Sequence, residues 1–284
     1  TKMERTLQPT TKQQAWVLPP TVWALAQPNL ENLTASFAPI SLKQMDTVAL
    51  LNRVDIKFIM TTEQLLTTLA QIQPCYWMLS INGQRLNHYR TLYFDTPNFG
   101  LYHDHVTGRA ERYKVRSREY IDSHLAFFEV KHKTRKDRTI KERIPTSDQV
   151  VQLSSETNRW LRQVSPLDGS LLEPKLWNTF TRITLVSRNY TERVTLDVDL
   201  AFYAGTKVAR LDGLAIAEVK MDANFGASAF LEQMRAQRIR QQGFSKYSIG
   251  VASLYEQVKK NSIKPKMLWL EKMMKGASQY ERNN

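Results

Sequence analysis

Strand-like segments follow one another along most of this chain, and few of them are separated by a helix. Strand patterns occur at 53–60, 88–96, 112–120, 125–134, 137–145, 174–188, 191–205 and 214–222; the segment 88–96 is rich in aromatic and β-forming residues, and the other seven contain a period-two alternation. Antiparallel neighbours need only a short turn, whereas parallel neighbours need a long crossover that is usually a helix. The order of the segments therefore predicts an α+β fold whose sheet is mainly antiparallel.

Helical patterns lie between and after these strands. The spacing of apolar residues predicts helices at 41–51, 61–72, 147–164 and 227–243, and over most of the chain beyond 245 with a break at Pro265. The segment 1–38 is rich in Pro, Gln, Thr and Asn and shows little periodicity, so we interpret it as an irregular N-terminal arm. The expected organisation is this arm, one domain at 39–262 and a helical tail at 263–284.

Most of the strand-like segments carry one apolar face and one charged face. Arg112, Lys114, Arg116 and Arg118 fall two residues apart, so a strand would place all four cations on one side. Like charges at this spacing repel each other, and the fold alone gives no reason for the pattern. A solvated face explains the pattern in any single strand. It explains less well a pattern that recurs in seven strands, in which Arg and Lys flank a single acid.

Closure of the sheet would explain all of these faces together. If the apolar faces turn outward beneath helices, the charged faces line the inside of a closed eight-stranded antiparallel β-barrel. We therefore expect a tunnel, with helices packed outside it and at both chain ends. A tunnel lined by so many cations would be unstable when empty, so it is expected to hold anions. The net charge of +13 agrees with an anionic ligand.

Cysteine content and hydropathy bear on the compartment. The only cysteine is Cys75, which excludes a disulfide framework within the chain and favours a reducing cytosol. The sequence contains no run of 18 apolar residues, so a role at a membrane would require a partner protein.

Seven short motifs carry a resemblance to a known family. They are RVDIKF, LYFDT, KVRSREY, FEVKHK, IKER, LAIAEVK and GFSKYSIG. In this order and at these spacings, the sequence resembles the VTC domain, the catalytic domain of polyphosphate polymerases of the vacuolar-transporter-chaperone type, in its bacterial form. More broadly it is similar to the triphosphate tunnel metalloenzymes, the CYTH-like group. The resemblance covers roughly residues 38–255 and implies a tunnel that binds a triphosphate or polyphosphate with a divalent metal.

The resemblance also implies which cations contact phosphate. The matching positions are Lys57, Lys114, Arg116, Lys131, Lys141, Arg182, Arg193 and Lys246. Arg53 and Lys220 share the charged sides of their strands and join this set as candidate phosphate ligands. The cations expected to act directly on the transferred phosphoryl group are Lys57, Arg116, Lys131, Arg182, Arg193 and Lys246. Arg112 and Arg118 are interpreted as residues of the tunnel mouth or of a solvated surface.

A metal ion, Mn²⁺ or Mg²⁺, is implied as well. Glu218 in AEVK matches the metal-binding glutamate of the family and is the first candidate ligand. Asp197 and Glu129 are predicted either as further metal ligands or as partners that orient neighbouring cations through salt bridges. The sequence is compatible with either role for these two carboxylates, because Mn²⁺ and Mg²⁺ take oxygen ligands and need few carboxylates when phosphates are present.

The number of acids bears on the reaction. Hydrolytic relatives begin with an ExExK motif, whereas the same positions here read Arg53, Asp55 and Lys57. Loss of a carboxylate removes a means of activating water and adds affinity for phosphate. The sequence therefore favours transfer of the γ-phosphoryl group of ATP to the end of a phosphate or polyphosphate chain. The expected partners are ATP, inorganic phosphate and polyphosphate, and no nucleic acid.

Two other functions are compatible with the same residues. One is a metal-dependent inorganic or nucleoside triphosphatase, and the other is a polyphosphate-binding module without turnover. A binding module for nucleic acid would spread its cations over a surface and interleave aromatic residues for base stacking. Here the cations alternate with aliphatic residues inside strands, which argues against such a module.

Overall fold

The structure, a computed structural model, describes residues 19, 28–46, 53–136, 138–222 and 227–281, and most of them surround one large sheet. Its strands are β1 Ala38–Ile40, β2 Arg53–Thr61, β3 Tyr76–Leu79, β4 Asn87–Asp95, β5 Arg112–Tyr120, β6 Leu125–Lys133, β7 Thr139–Thr146, β8 Glu173–Ser187, β9 Glu192–Ala204, β10 Lys207–Arg210 and β11 Leu214–Asp222. Its α-helices are α1 Pro28–Ala35, α2 Leu42–Asp46, α3 Thr62–Ile72, α4 Gly100–Val106, α5 Ser155–Val164, α6 Ala229–Ala236, α7 Lys246–Leu254 and α8 Lys264–Glu281.

Eight strands form a continuous antiparallel path. Their order across the sheet is β2-β11-β9-β8-β4-β5-β6-β7. Each neighbour pair in this path is antiparallel, so the predicted antiparallel sheet is confirmed. The remaining strands are short additions, with β3 on β8, β10 on β9, and β1 parallel to β3.

The predicted closed eight-stranded barrel is wrong, because the sheet is open and has eleven strands in the described residues. No ladder joins β2 to β7 within the part of the chain that the structure describes. The outer edge of β2 is occupied instead by residues 241–242. Phe58 forms a β-bridge with Gln241, and the backbone N–H of Gln242 donates to the carbonyl of Lys57 at 2.8 Å. These contacts take the edge that β7 would need for closure.

Two of the short strands, β3 and β10, pair with the ends of the two longest strands of the sheet. β8 has 15 residues, so β4 pairs along its first part and β3 pairs with Leu185–Ser187 near its end. In the same way, the end of β9 projects beyond β11 and pairs with β10. The sequence analysis missed β1, β3 and β10 because three or four residues are too few to show a period-two pattern.

Apolar residues on one side of the sheet pack beneath helices. Val194, Leu196 and Val198 of β9 join residues of α3 and α6 in one buried cluster. A second cluster lies beneath α5 and includes Phe128 and Val130 of β6. These two clusters confirm that helices cover the outer side of the sheet.

Helix α7 departs from the expected position outside the sheet. Tyr247 of α7 stacks on Tyr93 of β4, with 4.9 Å between the ring centroids. Ile59 and Ile216 belong to the same buried cluster as these rings, and they lie two residues along from Lys57 and Glu218 on the same side of their strands. This side of the sheet is therefore charged over part of its length and apolar where α7 covers it.

Local signals explain where the helices begin and end. Thr61 caps α3 in a capping box with Gln64, and the helix predicted at 61–72 is confirmed. The prediction of 147–164 is too long, because Ser154 caps α5 and the helix starts after it. The prediction of 227–243 is also too long, since the chain leaves α6 before Arg238, which has a φ of 56°.

Two predictions for the chain ends need correction. Within the arm predicted to be irregular, Pro28–Ala35 form helix α1; residues 1–18 and 20–27 lie outside the described part. The predicted break at Pro265 is wrong, because proline is tolerated in the first turn of a helix and α8 continues past it. The predicted helix at 41–51 is described only up to Asp46. Among the described helices, none is both long enough and apolar enough to span a membrane.

The packing of α7 on the sheet gives a testable prediction. A Cβ added to Gly250 would lie 2.6 Å from side-chain carbons of both Leu176 and Phe202. We expect Gly250→Ala to lower the free energy of unfolding by about 1–3 kcal/mol, the usual cost of overpacking a core. Gly243→Ala is the matched control, since nothing lies within 4 Å of its added Cβ. Urea denaturation of both variants measures the difference, and equal stabilities would contradict the described packing.

Candidate functional site

Charged side chains from seven strands share one side of the sheet, which we call the charged face. Its cations are Lys57, Lys114, Arg116, Arg118, Lys131, Lys141, Arg182, Arg193 and Lys220, with Lys246 added from the start of α7. Glu129, Asp197 and Glu218 are the three carboxylates that lie among these cations, and the exposed Asp55 lies opposite Lys220 at the edge of the same side. The strand alternation that was read from the sequence puts all these side chains on one side.

The charged face is concave. Strands β6 and β11 are separated by four other strands and would lie about 24 Å apart in a flat sheet. Desolvation nevertheless lowers the pKa of Lys131 on β6 to about 8, and the charges of Glu218, Lys57 and Lys220 act on it although they belong to β11 and β2. The sheet must therefore curl to bring these side chains close. Helix α7 bridges the curl, because the N-cap hydroxyl of Ser245 accepts a hydrogen bond from Lys114 at 3.1 Å.

Asp197 links two cations at the base of the face. Its Oδ1 accepts from Nε of Arg182 at 2.6 Å and its Oδ2 accepts from Nη2 at 2.8 Å, while Lys246 also contacts Oδ2. The carboxylate is 4% exposed. Burial acts to raise the pKa of Asp197, but Arg182 and Lys246 outweigh it and hold the pKa below its usual value. Asp197 is thus ionised and fully engaged by cations.

Glu129 has the same arrangement on the opposite wing of the sheet. Nε of Arg116 lies 2.6 Å from one carboxylate oxygen, and Nζ of Lys141 lies 2.5 Å from the other. The residue is 1% exposed. Burial acts to raise the pKa of Glu129, but Arg116, Arg118 and Lys141 hold it well below its usual range.

Glu218 differs from the other two carboxylates. Its ion-pair contacts are longer, at 3.4 Å to Lys57 and 3.0 Å to Lys220, and 26% of its side chain is exposed. Burial acts to raise the pKa of Glu218, but Lys220 and Lys57 lower it, so the group is ionised. Of the three carboxylates, Glu218 has the most open access to the space in front of the face.

These contacts decide how a divalent metal could be held. Among the described residues, no three His, Cys, Asp or Glu side chains come together as a metal site. Asp197 and Glu129 have their oxygens engaged by cations at short distances, so they fit the role of orienting cations and do not fit the role of metal ligands. Glu218 fits a Mn²⁺ or Mg²⁺ ion that takes its remaining ligands from phosphate oxygens and water.

Lys114 shows that positive charge is in excess on this face. The pKa of Lys114 is lowered to about 7, chiefly by burial and in addition by the positive charges of Lys131 and Arg116. Lys246 has a pKa of about 8, again chiefly through burial, although it contacts the carboxylate of Asp197. The carboxylates therefore offset only part of the repulsion between cations.

Arg118 belongs to the site, although the sequence analysis placed it at the mouth or in solvent. It is 6% exposed, and its Nε donates to Oγ1 of Thr91 at 3.1 Å. Its guanidinium lies over the rings of Phe180 and Tyr89, 5.5 and 5.8 Å from their centroids. The signal for Arg118 was the two-residue spacing from Lys114 and Arg116. Its place near the end of the predicted strand 112–120 conceals this burial in the sequence.

Two predicted phosphate ligands are less fully described. Arg193 is half-buried on β9, where it lies opposite Lys220 of β11 and Val186 of β8. The backbone of Arg53 lies opposite Asp222 at the outer end of β2, and its side chain lies outside the described residues. All the other predicted phosphate ligands are brought together on the charged face.

The lowered lysine pKa values predict a pH dependence of stability. An unfolded lysine has a pKa near 10.5, so between about pH 7 and pH 9 the unfolded chain binds more protons than the folded chain. The free energy of unfolding should therefore rise with pH across this range. We expect Lys114→Met to stabilise the protein at pH 7 and to flatten the rise.

Urea denaturation at pH 7, 8 and 9 measures this effect. Lys272→Met, at an exposed position of α8, is the matched control and should leave the slope with pH unchanged. A wild-type stability that falls from pH 7 to pH 9 would contradict the excess of positive charge.

Comparisons with known proteins give one family match and several similar solved structures. The family model of the VTC domain matches residues 52–255, which include β2 to β11 and α7. Among solved structures, a putative adenylate cyclase from Bacillus halodurans is 15% identical, covers 68% of this chain and 94% of its own, and has a TM-score of 0.44. A putative adenylyl cyclase from Hippeastrum, described as having a dominant triphosphatase activity, is 13% identical, with 72% and 98% covered and a TM-score of 0.46.

No curated protein matches the chain by sequence. The family model by itself spans most of the chain, from the first strand of the antiparallel path to the helix that carries Lys246. The protein therefore belongs to the VTC domain family.

Proposed function

We propose that this protein is a metal-dependent phosphotransferase of the polyphosphate polymerase type, which transfers the γ-phosphoryl group of ATP to the end of a phosphate or polyphosphate chain. The observation that carries the proposal is the charged face itself. Cations from seven strands and α7 converge there, and its three carboxylates are already engaged by cations. The remaining positive charge calls for a ligand with many negative charges in a row.

Linear polyphosphate matches the distribution of the cations. Arginine can contact phosphate through two N–H groups at once, and lysine supplies a compact charge. Arg118, Arg182 and Lys246 gather around the ring of Phe180. Lys114 and Arg116 lie further along β5, where Lys114 is opposite Lys131 of β6. A single phosphate would satisfy only a few of these groups, whereas a chain of phosphates can contact groups on several strands.

The state of the carboxylates favours transfer over hydrolysis. Hydrolysis needs a positioned water, usually activated by a base or a second metal. Glu129, Asp197 and Glu218 all have lowered pKa values and contact cations, which makes them weak bases. A terminal phosphate oxygen is already an anion and needs no base.

The proposed step is an in-line displacement. An oxygen of the acceptor phosphate attacks the γ-phosphorus of ATP, a new P–O–P bond forms, and the bond to the β-phosphate oxygen breaks. ADP leaves and the acceptor becomes one phosphate longer, without a net proton transfer to the protein. Arg116, Arg182 and Lys246 would hold the phosphoryl oxygens and offset their charge.

Glu218 bears on the metal ion, and Cys75 bears on the compartment. Glu218 would hold Mn²⁺ or Mg²⁺, and a metal ion there would supply positive charge that offsets the charge of the phosphates. Cys75 is exposed and free, which suits the reducing cytosol that we propose for the protein. Any role at a membrane would then require a partner protein.

Incubation with ATP and Mn²⁺ tests the proposal directly. We expect polyphosphate that is long enough to resolve as a ladder on a gel, together with one ADP for each phosphate added. Release of orthophosphate as the sole phosphate product would contradict the proposal and indicate a triphosphatase. Tight binding of polyphosphate without ATP turnover would contradict it as well and indicate a binding module.

A variant of Glu218 tests the metal assignment. We expect Glu218→Gln to lower the rate of ATP turnover by about two orders of magnitude, because metal neutralisation of phosphate charge is worth several kcal/mol. Binding of tripolyphosphate without metal should be unchanged or tighter, since Lys57 and Lys220 lose a competing carboxylate. Glu271→Gln, at an exposed position of α8, is the control. Full turnover in Glu218→Gln would rule out this ligand.

A further inference from the structure

The hairpin formed by β6 and β7 is strongly basic beyond the part that belongs to the charged face. We call residues 131–143 the basic hairpin. Its cations are Lys131, Lys133, Arg135, Lys136, Arg138, Lys141 and Arg143, and its acids are Asp137 and Glu142. Arg135, Lys136 and Arg138 near the tip are all exposed, and Arg135 is 82% exposed at its side chain.

The cations of the charged face continue toward this tip. Lys131 lies opposite Lys114 of β5, and two residues further along the same side Lys133 lies opposite Arg112. On the other strand of the hairpin, Lys141 lies opposite Lys131. Alternation keeps these residues on one side, so a row of cations runs from the charged face to the hairpin tip.

The structure of the hairpin does not require this sign of charge. Among the described residues, strand β7 pairs only with β6, and charged residues on such an edge strand discourage pairing with another molecule. Arg135, Lys136 and Arg138 lie beyond the last paired residues of the hairpin, Lys133 and Thr139, so protection of the edge does not account for them. The ion pair of Arg135 with Glu111, at 3.2 Å, is largely exposed and contributes little stability.

The two ends of the charged face differ in chemistry. At the end away from the hairpin tip, the ring of Tyr89 lies 4.9 Å from that of Tyr120, which lies 5.7 Å from that of Phe127. Tyr89 is buried beneath Arg118 and Arg182, but Tyr120 and Phe127 are partly exposed, and such rings suit a nucleoside. The end toward the tip continues with cations and suits phosphate alone. Strand β5 has nine residues and is about 30 Å long, so a chain of many phosphates must extend beyond the charged face.

We propose that the basic hairpin is a second binding surface for inorganic polyphosphate, on which the part of a long chain that extends past the charged face lies. The inference rests on the proposed function, because it states where the polymer runs. The segment 133–138 at the tip, KTRKDR, contains no aromatic residue for base stacking, which favours polyphosphate over single-stranded RNA.

Binding of two phosphate chains of different length tests the proposal. The probes are tripolyphosphate and a polyphosphate of about 60 units, titrated into the full-length protein by calorimetry without ATP. In the triple variant Arg135→Gln, Lys136→Gln and Arg138→Gln, the affinity for the long chain should fall about tenfold or more at moderate salt, with a shallower salt dependence. The affinity for tripolyphosphate should change less than about twofold, since exposed charges far from a site are screened.

A second triple variant controls for the loss of net charge. Lys264→Gln, Lys272→Gln and Lys275→Gln remove the same charge from exposed positions of α8 and should leave both affinities unchanged. A conservative variant with Arg135→Lys and Arg138→Lys should retain the affinity for the long chain. Circular dichroism and urea denaturation establish that each variant is folded.

The outcomes separate this inference from the proposed function. A loss confined to the long chain supports the inference even if the protein fails to polymerise ATP-derived phosphate. Equal loss for both chains, equal loss in the α8 control, or a wild-type protein that binds the long chain no more tightly than tripolyphosphate would each overturn it. Tighter binding of a uridine oligonucleotide than of polyphosphate at the hairpin would overturn it in favour of RNA.

Discussion

Repulsion between cations on the concave side is the constraint that the rest of the structure must meet. Each of the three carboxylates of the charged face contacts two cations, and each pair of cations comes from two different elements. The carboxylate of Asp197 joins β9 to β8 and to α7. These contacts hold the curled sheet together where its own charges would separate it. The cations still outnumber the carboxylates, and this excess of positive charge is what the proposed phosphate ligand would require.

The apolar outer side makes this arrangement possible. Because α3, α5 and α6 cover that side, the sheet can turn its polar side inward without exposing its core. Helix α7 has a double role, since Ile249 and Val251 are buried with the end of the sheet while Lys246 reaches Asp197. The buried hydroxyl of Tyr247 contacts the carboxylate of Asp95, which also accepts N–H groups at the start of α4. The position of Lys246 thus depends on packing well away from the charged face.

Much of the fold and most of the candidate site could be predicted from the sequence, because alternation in a strand decides which side each residue occupies. This is why Lys57, Arg116 and Arg182 were placed on one side correctly. The open edge could not be predicted, because it depends on residues 241–242 reaching β2 from a distant part of the chain. The burial of Arg118 was also missed, since it depends on Tyr89 and Phe180 from strands that are neighbours only in the folded sheet. The choice between metal ligand and salt bridge for Asp197 and Glu129 likewise needed distances.

The missing ladder between β2 and β7 has a topological consequence. A closed barrel encircles its ligand, so a long polymer can enter or leave only by sliding lengthwise past one end. A sheet whose first and last strands share no hydrogen bonds does not encircle the ligand with continuous backbone pairing. A polymer with no free end nearby, such as the middle of a long chain, could then reach the cations from the side. Processivity in such a protein would depend on charge contacts along the chain rather than on a ring that cannot open.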